Sequence, residues 1–472
     1  MYDVKSMDAT QFIDHDEVLA SLEFGESKKN DKAYLLGLVE KAKRLQRMTH
    51  REAAALILCD DPEILNEVFA AAHQIKEDIY GKRIVLFAPL YLSNYCVNGC
   101  RYCGYHYHNT CLQRRKLTQD EIRAEVKALE DMGHKRLALE AGEDPNECPL
   151  DYILQSIQTV YDTAKDNGVI RRVNVNIAAT TVEDYQKLKA AGIGTYILFQ
   201  ETYHREMYEY YHPTGPKHNY RWHTEAMDRA MQGGIDDVGI GVLFGLYDYR
   251  YEMVAMLMHI EHLEAVMGVG PHTISVPRLR PAEGVSFENY PHMVSDDQFK
   301  KIVALLRVFV PYTGLILSTR ETPETRHEVI KLGISQVSGG SCTGVGGYCK
   351  DNQIQGETHQ FDVSDERSLD EVLYALIQDG YVPSFCTACY RQGRTGDRFM
   401  QLAKAGQIQN VCLPNALITF QEYLSDYASP QTKAAGEALI QAQIPHISNE
   451  KVRQMTADYV TRVKNGERDF RF

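Results

Sequence analysis

Eleven cysteines stand at positions 59, 96, 100, 103, 111, 148, 342, 349, 386, 389 and 412, and six of them form two tight groups. Cys96, Cys100 and Cys103, spaced x3 and x2, follow the apolar run RIVLFAPL at 83–90. Three thiolates on a short loop can hold three irons of a cubane 4Fe–4S cluster and leave the fourth iron open to a substrate. A structural zinc competes with that reading, but zinc takes four ligands, and His106 or His108 would have to supply the fourth. Cys386, Cys389 and Cys412, spaced x2 and x22, again supply three thiolates. On spacing alone this second group is also open to zinc with one ligand unseen, or to a chance CxxC.

Tyr102 precedes Cys103, and CxxxCxΦC with an aromatic Φ resembles the signature of the radical-SAM superfamily. The resemblance implies S-adenosylmethionine at the open iron. The cluster supplies the electron that breaks a C–S bond of the sulfonium, and the 5′-deoxyadenosyl radical so formed takes hydrogen from a substrate. It also implies that Tyr102, Glu143, Asn176, Glu201 and Arg221 contact S-adenosylmethionine. Glu143 closes Glu140-Ala141-Gly142-Glu143, where relatives carry a GGE-like segment for the methionine amino group, and Gly142 lets backbone approach the ligand. Asn176 and Glu201 end strand-like runs from which polar groups reach the ribose or the amino acid moiety. Arg221 is the expected partner of the methionine carboxylate, by a bidentate guanidinium contact. The bland reading of these four is a rim or surface polar residue.

CxxxCxYC near residue 100 together with CxxCx22C near the C-terminus resembles the HydG family, which matures iron-only hydrogenase, over roughly residues 80 to 425. The resemblance implies a tyrosine lyase with two 4Fe–4S clusters, on Cys96, Cys100 and Cys103 and on Cys386, Cys389 and Cys412. Cleavage of the tyrosine Cα–Cβ bond gives p-cresol and dehydroglycine; carbon monoxide and cyanide then form on an additional labile iron with a cysteine ligand, as an Fe(CO)2(CN) unit. His272, opening PHTISVPR, resembles the residue that binds that fifth iron; a lone His at a strand end is otherwise structural. The implied partners are tyrosine, a reductant such as a flavodoxin or ferredoxin, and a hydrogenase maturation scaffold protein. Arg320 and Ser338 suit the tyrosine head group on chemical grounds as well, since a buried Arg beside a hydroxyl and Gly-rich backbone clamps a carboxylate. A salt bridge from Arg320 to Glu321 or Glu324 is the alternative. The nearest rival is 2-iminoacetate synthase, the tyrosine lyase of thiazole biosynthesis, whose relatives lack the C-terminal cysteine motif. An iron–sulfur carrier without turnover is the rival of another class. Cys59, Cys111 and Cys148 read as packing residues, Cys342 and Cys349 flank a Gly-rich loop able to wrap substrate, and His259 and His262 read as a solvated helix face.

These groups need a frame. Residues 1–82 have apolar residues at helical spacing. From 83 on, eight short β-rich runs (83–90, 136–141, 171–178, 195–200, 237–244, 272–278, 314–320 and 335–340) alternate with amphipathic stretches. The alternation predicts an α/β fold, a (β/α)8 TIM-type barrel over 83–380, with an open doubly wound sheet as the competitor. Residues 381–472 read as a separate, mostly helical C-terminal domain. Helices are predicted at Asp397–Ala405, Pro414–Ser425, Gln431–Gln441 and Asn449–Lys464, and 345–367 as a long loop. The 472 residues are 44% hydrophobic, enough for more than one small core, and carry a net charge of −13. With no basic stripe the chain is not expected to bind nucleic acid. No signal peptide and no ~20-residue apolar span stand out, so a cytoplasmic protein away from membranes is expected.

Overall fold

The computed structural model describes residues 1–285, 290–352, 354, 356, 358–404 and 409–472. Eight parallel strands close on themselves: β1 Arg83–Ser93, β2 Arg136–Ala141, β3 Arg172–Asn176, β4 Tyr196–Ile197, β5 Val238–Gly241, β6 Thr273–Ser275, β7 Gly314–Leu317 and β8 Gln336–Ser338. Closure is the β1–β8 pairing, Val85 with Gln336 through Phe87 with Ser338, which excludes the open sheet. A ninth strand, β9 Val382–Ser384, adds to the first residues of β1, Arg83 to Val85. Residues 382–384 carry no strand pattern recognisable in the sequence. Helices follow each of the eight barrel strands, from Gln119–Asp131 after β1 to Leu369–Gln378 after β8, with three of them after β4. Three of the barrel helices begin with a capping box, Thr118/Glu121, Ser295/Gln298 and Ser368/Glu371, in which side chains satisfy the orphan amides of the first turn.

Local chemistry shifts some boundaries. The pattern at 149–167 ends as a helix at Asp162, and a two-stranded hairpin follows, turning at Asp166 with φ 52° before Gly168. The stretch 220–232 divides at Glu225 into Tyr220–Thr224 and Ala226–Gln232. Arg205–Tyr211, for which no helix is predicted from the sequence, is a short helix. The C-terminal helices run Gly396–Lys404, Gln409–Asp426, Pro430–Gln443 and Glu450–Lys464; Ala405, the expected end of the first, lies outside the described residues. Among the described residues no helix is long and apolar enough to cross a membrane.

The N-terminal helices pack on the outside of the barrel, and this corrects one expectation. His259 and His262 lie on the barrel helix Tyr249–Met267 but are 2% and 0% exposed, not solvated. Phe12 stacks on His262 at 3.8 Å between ring centroids; the ring's Nδ1 lies 2.8 Å from the Val4 carbonyl and its Nε2 2.8 Å from Asp228. His259 meets the Tyr203 hydroxyl at 2.8 Å.

Side chains alternate along each strand, so residues two apart share a face. Register aligns Tyr91, Glu140 and Asn176 on β1, β2 and β3 as one inward layer near the C-terminal ends. Ala138 and Asn174 form the next layer down, and Arg136 and Arg172 the one below it. Arg83, with the same parity on β1, lies lower still, at the end that β9 joins. The barrel interior therefore runs from acidic and amide groups at the mouth to three buried arginines at the base.

Candidate active site and second cysteine site

The β1–helix loop holds the first cysteine group against the rim of β2. Gly142 N–H donates to the Ser93 carbonyl at 3.0 Å and Val97 N–H to the Glu143 carbonyl at 2.8 Å. A Cβ on Gly142 would stand 2.3 Å from the Tyr95 carbonyl, so only glycine permits this approach. The loop lines a cavity of about 1000 Å3 with Cys96, Cys100 and Cys103 on its wall. Asn98, inside the first cysteine gap, donates to Glu143 Oε2 at 2.6 Å and contacts Cys96 Sγ at 3.7 Å. Burial pushes the Cys100 thiol well up, and Cys103 up to about 11 with Cys96 adding to it. As thiolates these side chains would be costly to pack together unless bound cations offset their charge, which fits an iron cluster. Among the described residues no three His, Cys, Asp or Glu side chains converge on a single-ion site.

Tyr102, Glu143, Asn176 and Glu201 all line this cavity. Tyr102 shares a 2.8 Å hydrogen bond with His212 Nε2. Burial raises the pKa of Glu143. Glu201 has φ 69°, left-handed backbone that costs a non-glycine residue of order 1 kcal/mol or more and concentrates at functional sites. Its Oε1 accepts from Lys217 Nζ at 2.7 Å. Burial opposes the Lys217 charge, but Glu201 and Cys100 outweigh it and raise its pKa. Arg221 is not brought here. It is exposed on the far side of its short helix and pairs with Asp8 at 3.2 Å. Lys217, with no motif to mark it, faces the cavity beside Glu201. Replacing Arg221 by Ala should change S-adenosylmethionine affinity by less than about twofold, as for other exposed pairs; titration of the reconstituted protein measures it.

A second cavity of about 810 Å3 continues down the barrel, and Glu140, Asn176, Phe199, Arg320, Gln360 and Phe361 line both. Arg320 and Ser338 face it together. The Arg320 guanidinium stacks on the Phe361 ring at 3.3 Å, and burial lowers its pKa. Glu321 does not pair with it: Arg278 and Arg280 take that carboxylate, and Glu324 is exposed. Ser338 Oγ accepts from Thr319 N–H at 3.2 Å. Gln360 and Phe361 come from the long polar loop, which a Gly344–His359 bridge folds back over the mouth. Gln360 accepts from the Tyr91 hydroxyl at 3.0 Å and contacts Cys103 Sγ at 3.8 Å. Cys342, at the base of that loop, lies 3.8 Å from His359 Nε2. Of the cysteines expected to pack, Cys59 is buried, Cys148 half-buried and Cys111 exposed.

The second cysteine group sits beneath the barrel. Cys386 and Cys412 are buried, and Cys389 is hydrogen-bonded to Cys412. That bond, with Arg394 and Arg83, holds the Cys389 thiol below its usual range. Arg136 from the barrel base donates to the Cys386 carbonyl at 2.9 Å. Arg172 stacks on Tyr390 at 3.1 Å, and the Tyr390 hydroxyl lies 3.1 Å from His272 Nε2. His272 is thus one ring away from this group, against Phe399, which packs on Cys412. Its Nδ1 is 3.6 Å from Asp237 and has no hydrogen-bond partner. Burial lowers its pKa, with Asp237 opposing and the three arginines reinforcing; the neutral ring has a lone pair to offer a metal.

Known proteins agree with this geometry. Residues 90–260 match the Radical SAM superfamily and 275–382 the Biotin and Thiamin Synthesis associated domain. The chain is 31% identical to 2-iminoacetate synthase of Salmonella typhimurium over 347 residues, covering 73% of this chain and 89% of that protein. A crystal structure of HydG, a maturase of the [FeFe]-hydrogenase, superimposes with a TM-score of 0.94 at 60% identity, covering 98% of this chain and 100% of that one. HydG from Carboxydothermus hydrogenoformans gives 0.83 at 40% identity, covering 96% and 99%.

Proposed function

The chain belongs to the HydG family of radical SAM enzymes, and on that premise we propose that it cleaves tyrosine to p-cresol and dehydroglycine and converts dehydroglycine to carbon monoxide and cyanide. The observation that carries this reading is one barrel with a three-cysteine group at each end. Cys96, Cys100 and Cys103 would hold a 4Fe–4S cluster, which would supply the electron for cleaving S-adenosylmethionine. Tyr102, Glu143, Asn176 and Glu201 position the nucleoside and methionine parts, with Lys217 replacing Arg221 as the nearby cation. Arg320 and Ser338 bind the tyrosine carboxylate, and Phe361 beneath the guanidinium fixes its plane. The polar column from Asn174 to Arg172 and Arg136 suits an anionic product travelling towards the base. Cys386, Cys389 and Cys412 suit a second 4Fe–4S cluster, and His272, with its unpartnered nitrogen, the labile iron that also takes a cysteine ligand.

The resulting Fe(CO)2(CN) unit would pass to a maturation scaffold protein, and a flavodoxin or ferredoxin would supply electrons. Residues 1–82 brace the barrel, 83–380 run the radical chemistry and 381–472 hold the second site. None of the eleven cysteines is in a disulfide, as suits a reducing cytoplasm. The 2-iminoacetate synthase reading stops at dehydroglycine and leaves the lower cysteines without a task.

Arg320→Ala should raise the tyrosine KM more than about tenfold, because a desolvated charge-assisted contact is lost. Arg320→Lys should recover little, since an ammonium has no planar fork. Steady-state p-cresol assays test both; an unchanged KM in both would move the carboxylate clamp off Arg320.

A further inference from the structure

Glu140 has no part in the assignments so far, yet it sits where the two cavities join. Its strand register places it between Tyr91 and Asn176, facing inward. The Asn176 side chain hydrogen-bonds its carboxyl. Arg320 faces the same space, and among the described residues no carboxylate lies within ion-pair distance of that guanidinium, Glu321 being held by Arg278 and Arg280. A half-buried acid and a half-buried cation line one cavity with no ion pair between them among the described residues. A zwitterion laid between them, carboxylate to Arg320 and ammonium to Glu140, satisfies both.

The geometry points to Glu140 as the residue that binds the substrate's α-ammonium and takes one proton from it before hydrogen abstraction. This rests on the tyrosine-lyase reading of the site. In the step, an N–H bond of the ammonium breaks heterolytically and its electron pair stays on nitrogen as the amine lone pair. The proton forms an O–H bond on Glu140, and nothing is oxidised or reduced. The amine left behind still has two N–H bonds, one of which the 5′-deoxyadenosyl radical then attacks. Burial raises the Glu140 pKa to about 8, with Arg320 and Asn176 opposing, so a substrate cation can tip it between charged and neutral forms. The titratable groups facing it are Arg320, Tyr91 and Tyr105, and burial raises both tyrosines well above 10, out of the same range.

Glu140→Gln keeps size and hydrogen bonding but loses the charge. Two measurements on the reconstituted enzyme test the assignment: equilibrium binding of tyrosine against 3-(4-hydroxyphenyl)propionate, which is tyrosine without its amino group, and the pH profile of kcat/KM for p-cresol formation. The wild type should prefer tyrosine by more than about tenfold, and its kcat/KM should rise with pH through about 8 as Glu140 ionises. The variant should bind both compounds within about threefold of each other and lose that limb of the profile. The cluster's EPR response to S-adenosylmethionine should be unchanged, which reports a folded first site. A variant that keeps both the preference and the limb would overturn the role of Glu140. A wild type that makes no p-cresol would instead overturn the tyrosine-lyase reading itself.

Discussion

With Cys386 and Cys389 both changed to Ser, tyrosine should still yield p-cresol while carbon monoxide falls to background. The two cysteine groups occupy opposite ends of the barrel. The first lines the cavity at the C-terminal rim and the second lies below the arginine layer. Serine is close to cysteine in size but a poor iron ligand, so the exchange should empty the lower site with little repacking. Arg136 should keep its contact, because it bonds the Cys386 backbone carbonyl and not the thiol. Cyanide should persist in part, since a reactive imine also breaks down away from iron. Parallel assays of p-cresol, and of carbon monoxide trapped by deoxyhaemoglobin, measure both outcomes. A double variant with the wild-type ratio of carbon monoxide to p-cresol would make the lower cysteines structural, and 2-iminoacetate synthase the better comparison.

Cys96→Ala, Cys100→Ala and Cys103→Ala should each abolish 5′-deoxyadenosine formation altogether. The three thiols share one wall, and among the described residues no other cysteine lines that cavity. Neighbouring side chains offer no substitute: Glu143 is held by Asn98 and Glu201 by Lys217. Chromatography of the nucleoside product after anaerobic reconstitution reads the result. Near wild-type 5′-deoxyadenosine in any one variant would remove that residue from the ligand set.

Much of this arrangement was legible in the sequence because it is local. The eight barrel strands are short β-rich runs whose period separates them from the helices between, and both cysteine groups announce themselves by spacing. Features that depend on distant partners were not. His259 and His262 looked like a polar stripe because the segment that buries them, Val4 to Phe12, lies some 250 residues away. Arg221 looked like a carboxylate partner, but the helix break at Glu225 and the pairing with Asp8 turn it outward. Gln360 and Phe361 lie in a polar loop with no periodicity, and only the folded loop brings them to Arg320. One signal was present and unread: Arg83, Arg136 and Arg172 each open a strand in phase with a polar residue near its far end, Tyr91, Glu140 and Asn176. A polar residue at each end of an inward-facing row marks a lined passage more than a packed core.

The central claim is one barrel serving two iron–sulfur sites, only one of which meets S-adenosylmethionine. Iron and sulfide analysis with EPR of the anaerobically reconstituted, reduced protein tests it most directly. The account predicts iron and sulfide for two 4Fe–4S clusters and two distinct signals, of which one shifts on adding S-adenosylmethionine and the other is lost from the Cys386/Cys389 double variant. A single signal, or two that both respond to S-adenosylmethionine, would contradict it.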